Sequence, residues 1–275
     1  GRVKIKISLE NGAVEVGDIL AGSPAHSAGL QEGMRISRIN GKDVREINTS
    51  ALQTALKSCI VSDHYDPSCL KNNTDSLEEL ITQVSSLEKA EYQTFSREEK
   101  IAFWVNAYTA WLLRVLSELP EGRKDLPEFS EPFSQHQLFI LGEAYSLQAM
   151  QKKIWNEFRD ERIFFCLASG TLTGPPFLEA PLDAAHVEEV LNLRTSQYLR
   201  NPQNVNLRKR ELWLSPWMRP LTPYFVFNFG GSEFKNKRSF SEEEMAVVNF
   251  LYHHAENMEL RSALEQLNFK IRYFS

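Results

Sequence analysis

Covalent chemistry in this 275-residue chain would have to come from three cysteines, six histidines and the polar side chains near them. The thiols are Cys59, Cys69 and Cys166. Cys166 lies in Ile163-Phe164-Phe165-Cys166-Leu167-Ala168, a short continuous apolar run that reads as a buried strand. A thiol in such surroundings has its pKa raised and is inert. Ser169, next to Gly170, sits at a strand-to-turn junction from which a nucleophile can project. The G-x-S-x-G spacing is absent, however, and a Ser-Gly-Thr turn is ordinary turn chemistry. Nucleophilic catalysis also needs a His within hydrogen-bond reach and a third group to orient it. His186 opens an amphipathic helix, His136 lies in a polar loop and His253-His254 lie on a helix near the C-terminus. These read as capping or surface positions, and none has a metal-ligand spacing. No metal and no cofactor is assigned.

The stretch Arg162-Ile163-Phe164-Phe165-Cys166-Leu167-Ala168-Ser169-Gly170-Thr171-Leu172-Thr173-Gly174-Pro175-Pro176-Phe177 closely resembles the signature R-x-H-F-A-L-x-C-G-x-x-S-C-P-P-L of the domain of unknown function 547 family. Phe103-Trp104-Val105-Asn106-Ala107-Tyr108-Thr109-Ala110 is similar to that family's F-W-I-N-x-Y-N-A helix, with Thr109 for the second Asn. Ser146-Leu147-Gln148-Ala149-Met150-Gln151-Lys152-Lys153-Ile154-Trp155 is similar to its S-L-x-x-I-E-H-x-I-L-R run. Leu214-Ser215-Pro216-Trp217 matches L-S-x-x-F/W, and Tyr224-Phe225 stands where the family has D-F. The resemblance covers residues 77 to 275. The family's Cys of S-C-P-P and His of I-E-H have the residue types of a nucleophile and its base. What the resemblance implies here is a vacated site, with Gly174 for that Cys, Ser169 for the Cys before Gly170, Gln151 for the Glu and Lys152 for the His. Glycine supplies neither nucleophile, base nor metal ligand, so no catalytic residue is assigned. The competing reading is an active cysteine- or serine-type hydrolase or transferase using Cys166 or Ser169.

The first sixty residues have another texture. Val3, Ile5, Ile7 and Leu9 alternate with polar residues, the pattern of a half-buried strand. Asn11-Gly12 is a strong hairpin signal before Val14 and Val16. The stretch from Leu20 to Val44, with Gly22-Ser23-Pro24-Ala25, Ala28-Gly29-Leu30, Gly33 and Ile39-Asn40-Gly41, resembles the PDZ pattern G-x-P-A-x-x-A-G-L-x-x-G-D-x-I-x-x-I-N-G-x-x-V. Met34 takes the place of the Asp. PDZ domains bind by adding an extended peptide as a strand and holding its C-terminal carboxylate on backbone N–H groups. The resemblance places that groove between Val3–Ser8 and a helix from Thr49 to Lys57, with Arg2, Val3, Lys4, Ile5, Thr49 and Gln53 as peptide-binding residues. A C-terminal peptide of a partner protein is the expected ligand. Residues 62–76, rich in Asp, Asn and Pro, read as a linker between a PDZ-like domain over 1–61 and a second domain over 77–275.

Leu77, Leu80, Ile81, Val84 and Leu87 recur at helical spacing, and Ser96-Arg97-Glu98-Glu99 is a capping box for a helix running to about Leu119. That helix is apolar on most sides and reads as central, with Asn106 as a hydrogen-bonded core amide. Short strands are expected near 138–146, 163–168, 212–214 and 224–229. The fold class expected is mixed α/β: a small β-rich PDZ-like domain and a larger, helix-rich α+β domain. Apolar content of 42% and charged content of 24% are ordinary for globular proteins. A net charge of -5 argues against a general nucleic-acid or anionic-membrane surface. The run Arg208-Lys209-Arg210 alone is too short to argue one. No apolar run approaches the about 18 to 20 residues that span a bilayer. An odd cysteine count without a framework spacing points to a reducing, cytoplasmic setting. The reading is a two-module scaffold protein whose larger domain is catalytically degenerate.

Overall fold

A computed structural model describes residues 5–7, 14–16, 24–27, 29–31, 35–36, 38–39, 42–43, 47–61, 64–118, 136–169, 174–231 and 240–274. The N-terminal alternation produces strand β1 (Ile5–Ile7), which pairs antiparallel with β2 (Val14–Val16), Ile5 opposite Val16 and Ile7 opposite Val14. The helix α1 spans Pro24–Ser27. β2 also pairs with β3 (Arg35–Ile36), and β4 (Arg38–Ile39) pairs with β5 (Lys42–Asp43). Next, α2 (Ser50–Cys59) buries Leu52, Ala55, Leu56 and Cys59. Their spacing makes one apolar stripe on the helix. A short antiparallel pair follows, β6 (Ile60–Val61) with β7 (His64–Tyr65).

Most of residues 67–76, expected as part of a linker, are helical. Asp66 caps α3 (Pro67–Asn72), its carboxylate accepting the N–H groups of Ser68 and Cys69. α4 (Thr74–Ser86) follows and buries Leu77, Leu80, Ile81 and Val84. Asp before Pro is helix-start chemistry as much as turn chemistry, because Pro at the first helical position gives up no needed hydrogen bond. The stripe of α2 packs on α3 and α4, and a disulfide between Cys59 and Cys69 joins α2 to α3. The expectation of free thiols is corrected for this pair. Disulfides persist in oxidising surroundings, so the cysteines no longer argue for a cytoplasmic setting.

After the short α5 (Lys89–Gln93) comes α6 (Arg97–Ser117), opened by the capping box between Ser96 and Glu99. Every residue from Ile101 to Ala110 is buried, so α6 runs through the core. β8 (Leu138–Ile140) turns into β9 (Glu143–Tyr145) through Leu141 (φ 54°) and Gly142 (φ 80°). Positive φ at both turn residues matches the right-handed twist of the paired strands. α7 (Leu147–Phe158) is capped by Ser146.

Two expected strands are corrected. Glu161–Cys166 is a 3-10 helix capped by the Asp160 side chain, because an uninterrupted apolar run has no period to distinguish a strand from a buried helical turn. The aromatic stretch 224–229 belongs to a helix, because tertiary packing overrides its strand propensity. α8 (Val187–Arg200) precedes the antiparallel pair β10 (Val205–Arg208) and β11 (Glu211–Leu214). α9 (Thr222–Phe229) then stacks Phe225 on Phe250 of α10 (Glu242–His254), centroids 4.2 Å apart. α11 (Met258–Gln266) leads to β12 (Lys270–Tyr273), which runs parallel to β11. The architecture is mixed α/β, predominantly helical with small sheets. No helix among the described residues is long and apolar enough to cross a membrane.

Candidate functional site

The end of the 3-10 helix and the segment Gly174-Pro175-Pro176 bring two of the expected positions together. A Cβ built on Gly174 would lie 2.1 Å from Ser169 Oγ, 2.3 Å from Ser169 Cβ and 3.0 Å from Trp217 Cδ1. The Ser169 N–H donates to the Pro175 carbonyl at 3.1 Å, fixing the approach. Arg194 of α8 braces the same segment by donating to the Pro176 carbonyl at 2.6 Å. Gly174 is therefore filled space, and Ser169 is buried beneath it.

Gln151 and Lys152 follow one another on α7, where Gln151 Nε2 donates to the Tyr108 hydroxyl of α6 at 3.2 Å and Lys152 is exposed. Cys166 is a free thiol with none of its surface exposed. Burial pushes it up to about 12, so it is a thiol and not a thiolate at neutral pH. Asn106 clips α6 to the loop before α8: Nδ2 donates to the Leu182 carbonyl at 2.9 Å and Oδ1 accepts the Leu182 N–H at 2.8 Å. It is a satisfied core amide.

Two further substitutions meet in space. By the resemblance drawn from the sequence, Phe164 falls at the position of the signature's His, and Tyr224 at that of the Asp in D-F. Their rings stack at 4.8 Å and 15°, and Tyr224 also lies 4.5 Å from Trp155. Residues far apart in the sequence thus form one aromatic packing unit. The resemblance draws attention to Phe164, but only the fold shows its partner.

Another polar cleft, about 630 Å³, opens between the 3-10 helix, α8 and α10. On one wall Asp160 accepts Arg97 Nη2 at 2.9 Å and Arg162 Nη2 at 2.7 Å, and both guanidinium groups also reach Glu188. Burial opposes ionisation of Asp160, but Arg162, with Arg97, outweighs it and holds the carboxyl below the usual range, as opposite charge at contact distance does. On the other wall Glu161 receives His254 Nε2 at 3.1 Å and the Asn228 amide. His254 is thus mostly buried, a correction to its expected place on the surface; no spacing rule links residues 93 apart. Among the described residues no group of three or more His, Cys, Asp or Glu could hold a metal ion.

At the N-terminal end, Arg2, Val3 and Lys4 lie outside the described residues, and Ile5 begins β1. Thr49 immediately precedes α2 and makes no capping bond with its side chain, while Gln53 is half-buried. Thr49 lines a cavity of about 470 Å³ with Leu80, Phe95, Phe103 and Leu182. Residues 2–62 match the family model of the PDZ domain, and residues 92–199 that of the Protein of unknown function, DUF547. The chain carries a PDZ domain followed by a DUF547 domain. No curated protein and no solved structure matches it. The DUF547 match includes Gln151, Lys152, Cys166, Ser169 and Gly174, whereas Tyr224 and His254 lie past its end. Between the two matches, α3 and α4 carry the packing from PDZ helix α2 to DUF547 helix α6.

Proposed function

We propose that the protein is an interaction scaffold: its PDZ domain receives the C-terminal peptide of a partner, and its DUF547 domain is a non-catalytic body. The match of residues 2–62 to the PDZ domain carries this reading. It is supported by β1, which among the described residues lies at one end of the order β1-β2-β3, where an added strand would extend the sheet. Loss of catalysis is supported by Gly174 packed on Ser169 and by the Phe164–Tyr224 stack in the places of a Cys, a second Cys, a His and an Asp. The competing use of Cys166 would require unburying a thiol whose pKa is pushed up to about 12.

Peptide capture through a free carboxylate has a direct test. Free-acid C-terminal peptides should bind the whole chain, and amidated copies should bind roughly ten- to a hundredfold more weakly, since a charge-assisted carboxylate contact is worth about 1.5–3 kcal/mol. A free-acid library without a binder, or equal affinity of acid and amide in fluorescence anisotropy, would refute the groove.

A further inference from the structure

Arg208-Lys209-Arg210 is short as a sequence, but the sheet at the end of the chain enlarges it. In the ladder Arg208 faces Glu211, and Asn206 faces Trp213. β12 adds Lys270 beside Glu211 and Arg272 beside Trp213. Leu212 and Leu214 go into the core, and strand alternation leaves Arg208, Glu211, Trp213, Lys270 and Arg272 on the other face. Lys209 and Arg210, both exposed, form the turn at its rim. Lys209 is left-handed at φ 57°. Glycine or asparagine is less strained in that region, so the turn holds a cation against its backbone preference.

Five basic residues of this sheet and its turn therefore flank Glu211: Arg208 and Lys270 opposite it in the ladder, Arg272 two positions on, and Lys209 and Arg210 in the turn before it. The Glu211 carboxylate is already engaged, accepting Trp213 Nε1 at 3.2 Å and Arg272 Nε at 3.5 Å. The Trp213 ring lies 5.7 Å from that of Phe274, and a hollow of about 650 Å³ borders Trp213 and the turn. The face is a positive aromatic platform on a chain whose net charge is -5.

We propose that this platform docks an acidic segment of a partner protein, a run of Glu and Asp whose carboxylates pair with Arg208, Lys209, Arg210, Lys270 and Arg272 while its stems lie on Trp213. Charge complementarity selects an anion, and dimensions select a short one. Four residues per strand and three strands give a face of about 13 by 10 Å. A few acidic residues stay within that area. A nucleic-acid strand runs beyond it, over a molecule of its own charge sign, where screening over about 8–10 Å no longer isolates the patch.

The probe is fluorescein-labelled octaglutamate, amidated at its C-terminus so that no carboxylate-binding groove can hold its end, with octaglutamine as the neutral control. The whole chain should bind octaglutamate saturably at about 50 mM salt, several-fold more weakly at about 300 mM, and octaglutamine not at all. Joint Lys270→Glu and Arg272→Glu changes should weaken binding roughly tenfold. Arg208→Gln, Lys209→Gln and Arg210→Gln together should do the same from the turn, which guards against a folding defect in either variant. Absence of saturable binding, or unchanged affinity in both variants, overturns the proposal. So does tighter binding of octathymidylate through the same residues, which would make the face a nucleic-acid surface.

Discussion

At Gly174 there is no room for a methyl group, because the two nearest atoms, at 2.1 and 2.3 Å, are Oγ and Cβ of Ser169. Oγ can rotate aside, but Cβ is fixed to the backbone. Gly174→Ala should therefore lower stability by about 1–3 kcal/mol, as overpacking does. Ser169→Gly in the same chain should recover most of that, since both of the nearest atoms belong to Ser169 and the next, Trp217 Cδ1, is at 3.0 Å. Thermal melts of the two singles and the double measure the coupling; additive effects would mean that the residues do not touch. Gly174→Cys meets the same obstruction, so a thiol placed there brings strain and should yield no turnover with thioester substrates. The existing thiols can be counted directly. Ellman's reagent should find no reactive thiol in the native chain, one after denaturation without reductant, from Cys166, and three once Cys59–Cys69 is reduced. Three from the unreduced, denatured chain would mean that the disulfide does not form. The resemblance singles out Gly174 and Ser169, but no spacing rule encodes their contact.

Among the elements, those with local signals are legible in the sequence. The capping box at Ser96, the antiparallel pairing of β1 with β2 and the strand at 212–214 stand as read, while the Asn11-Gly12 turn signal lies outside the described residues. The elements that depart from expectation lack such a signal: 163–168 is apolar without a period, and 224–229 has strand-like residues that α10 holds as a helix. The ion network at Asp160 is invisible in the sequence because its members come from separate elements. Arg97 opens α6, Arg162 lies on the 3-10 helix and Glu188 is in the first turn of α8. It has a pH signature. The folded-state pKa of Asp160 is lowered. Its contribution is therefore fully present above the unfolded value, about 3.9, and is lost as pH falls through the lower folded value. Asp160→Asn should cost about 2–3 kcal/mol at neutral pH and flatten the acid side of the stability profile below about pH 4. Chemical denaturation at a series of pH values reads both, and parallel acid limbs in the two proteins would assign the loss to other carboxylates.

Across the whole molecule, the boundary between the modules is structured. The sequence suggests a linker at 62–76 because Asp, Pro and Asn serve turns and helix starts alike, whereas α3 and α4 occupy most of that interval and cover the apolar stripe of α2. Leu52, Ala55 and Cys59 have none of their surface exposed, and Leu56 has 4%. A PDZ fragment ending near residue 66 would strip α3 and α4 from that stripe. Each large side chain so exposed forfeits about 1.5–3 kcal/mol, and a domain of about 60 residues has little stability to lose. The same cut removes Cys69 and with it the disulfide, whose short loop is worth about 2–3 kcal/mol. Fragment 1–66 should therefore give the poorly dispersed amide NMR spectrum of an unfolded chain. The whole chain should show dispersed signals for the same residues and lose stability on reduction by roughly the value of the disulfide. A folded 1–66 fragment would mean that the PDZ domain closes its own core and that α3 and α4 serve the DUF547 domain alone. An unfolded one ties the folding of α2 to its packing on α3 and α4, and through them to the DUF547 domain.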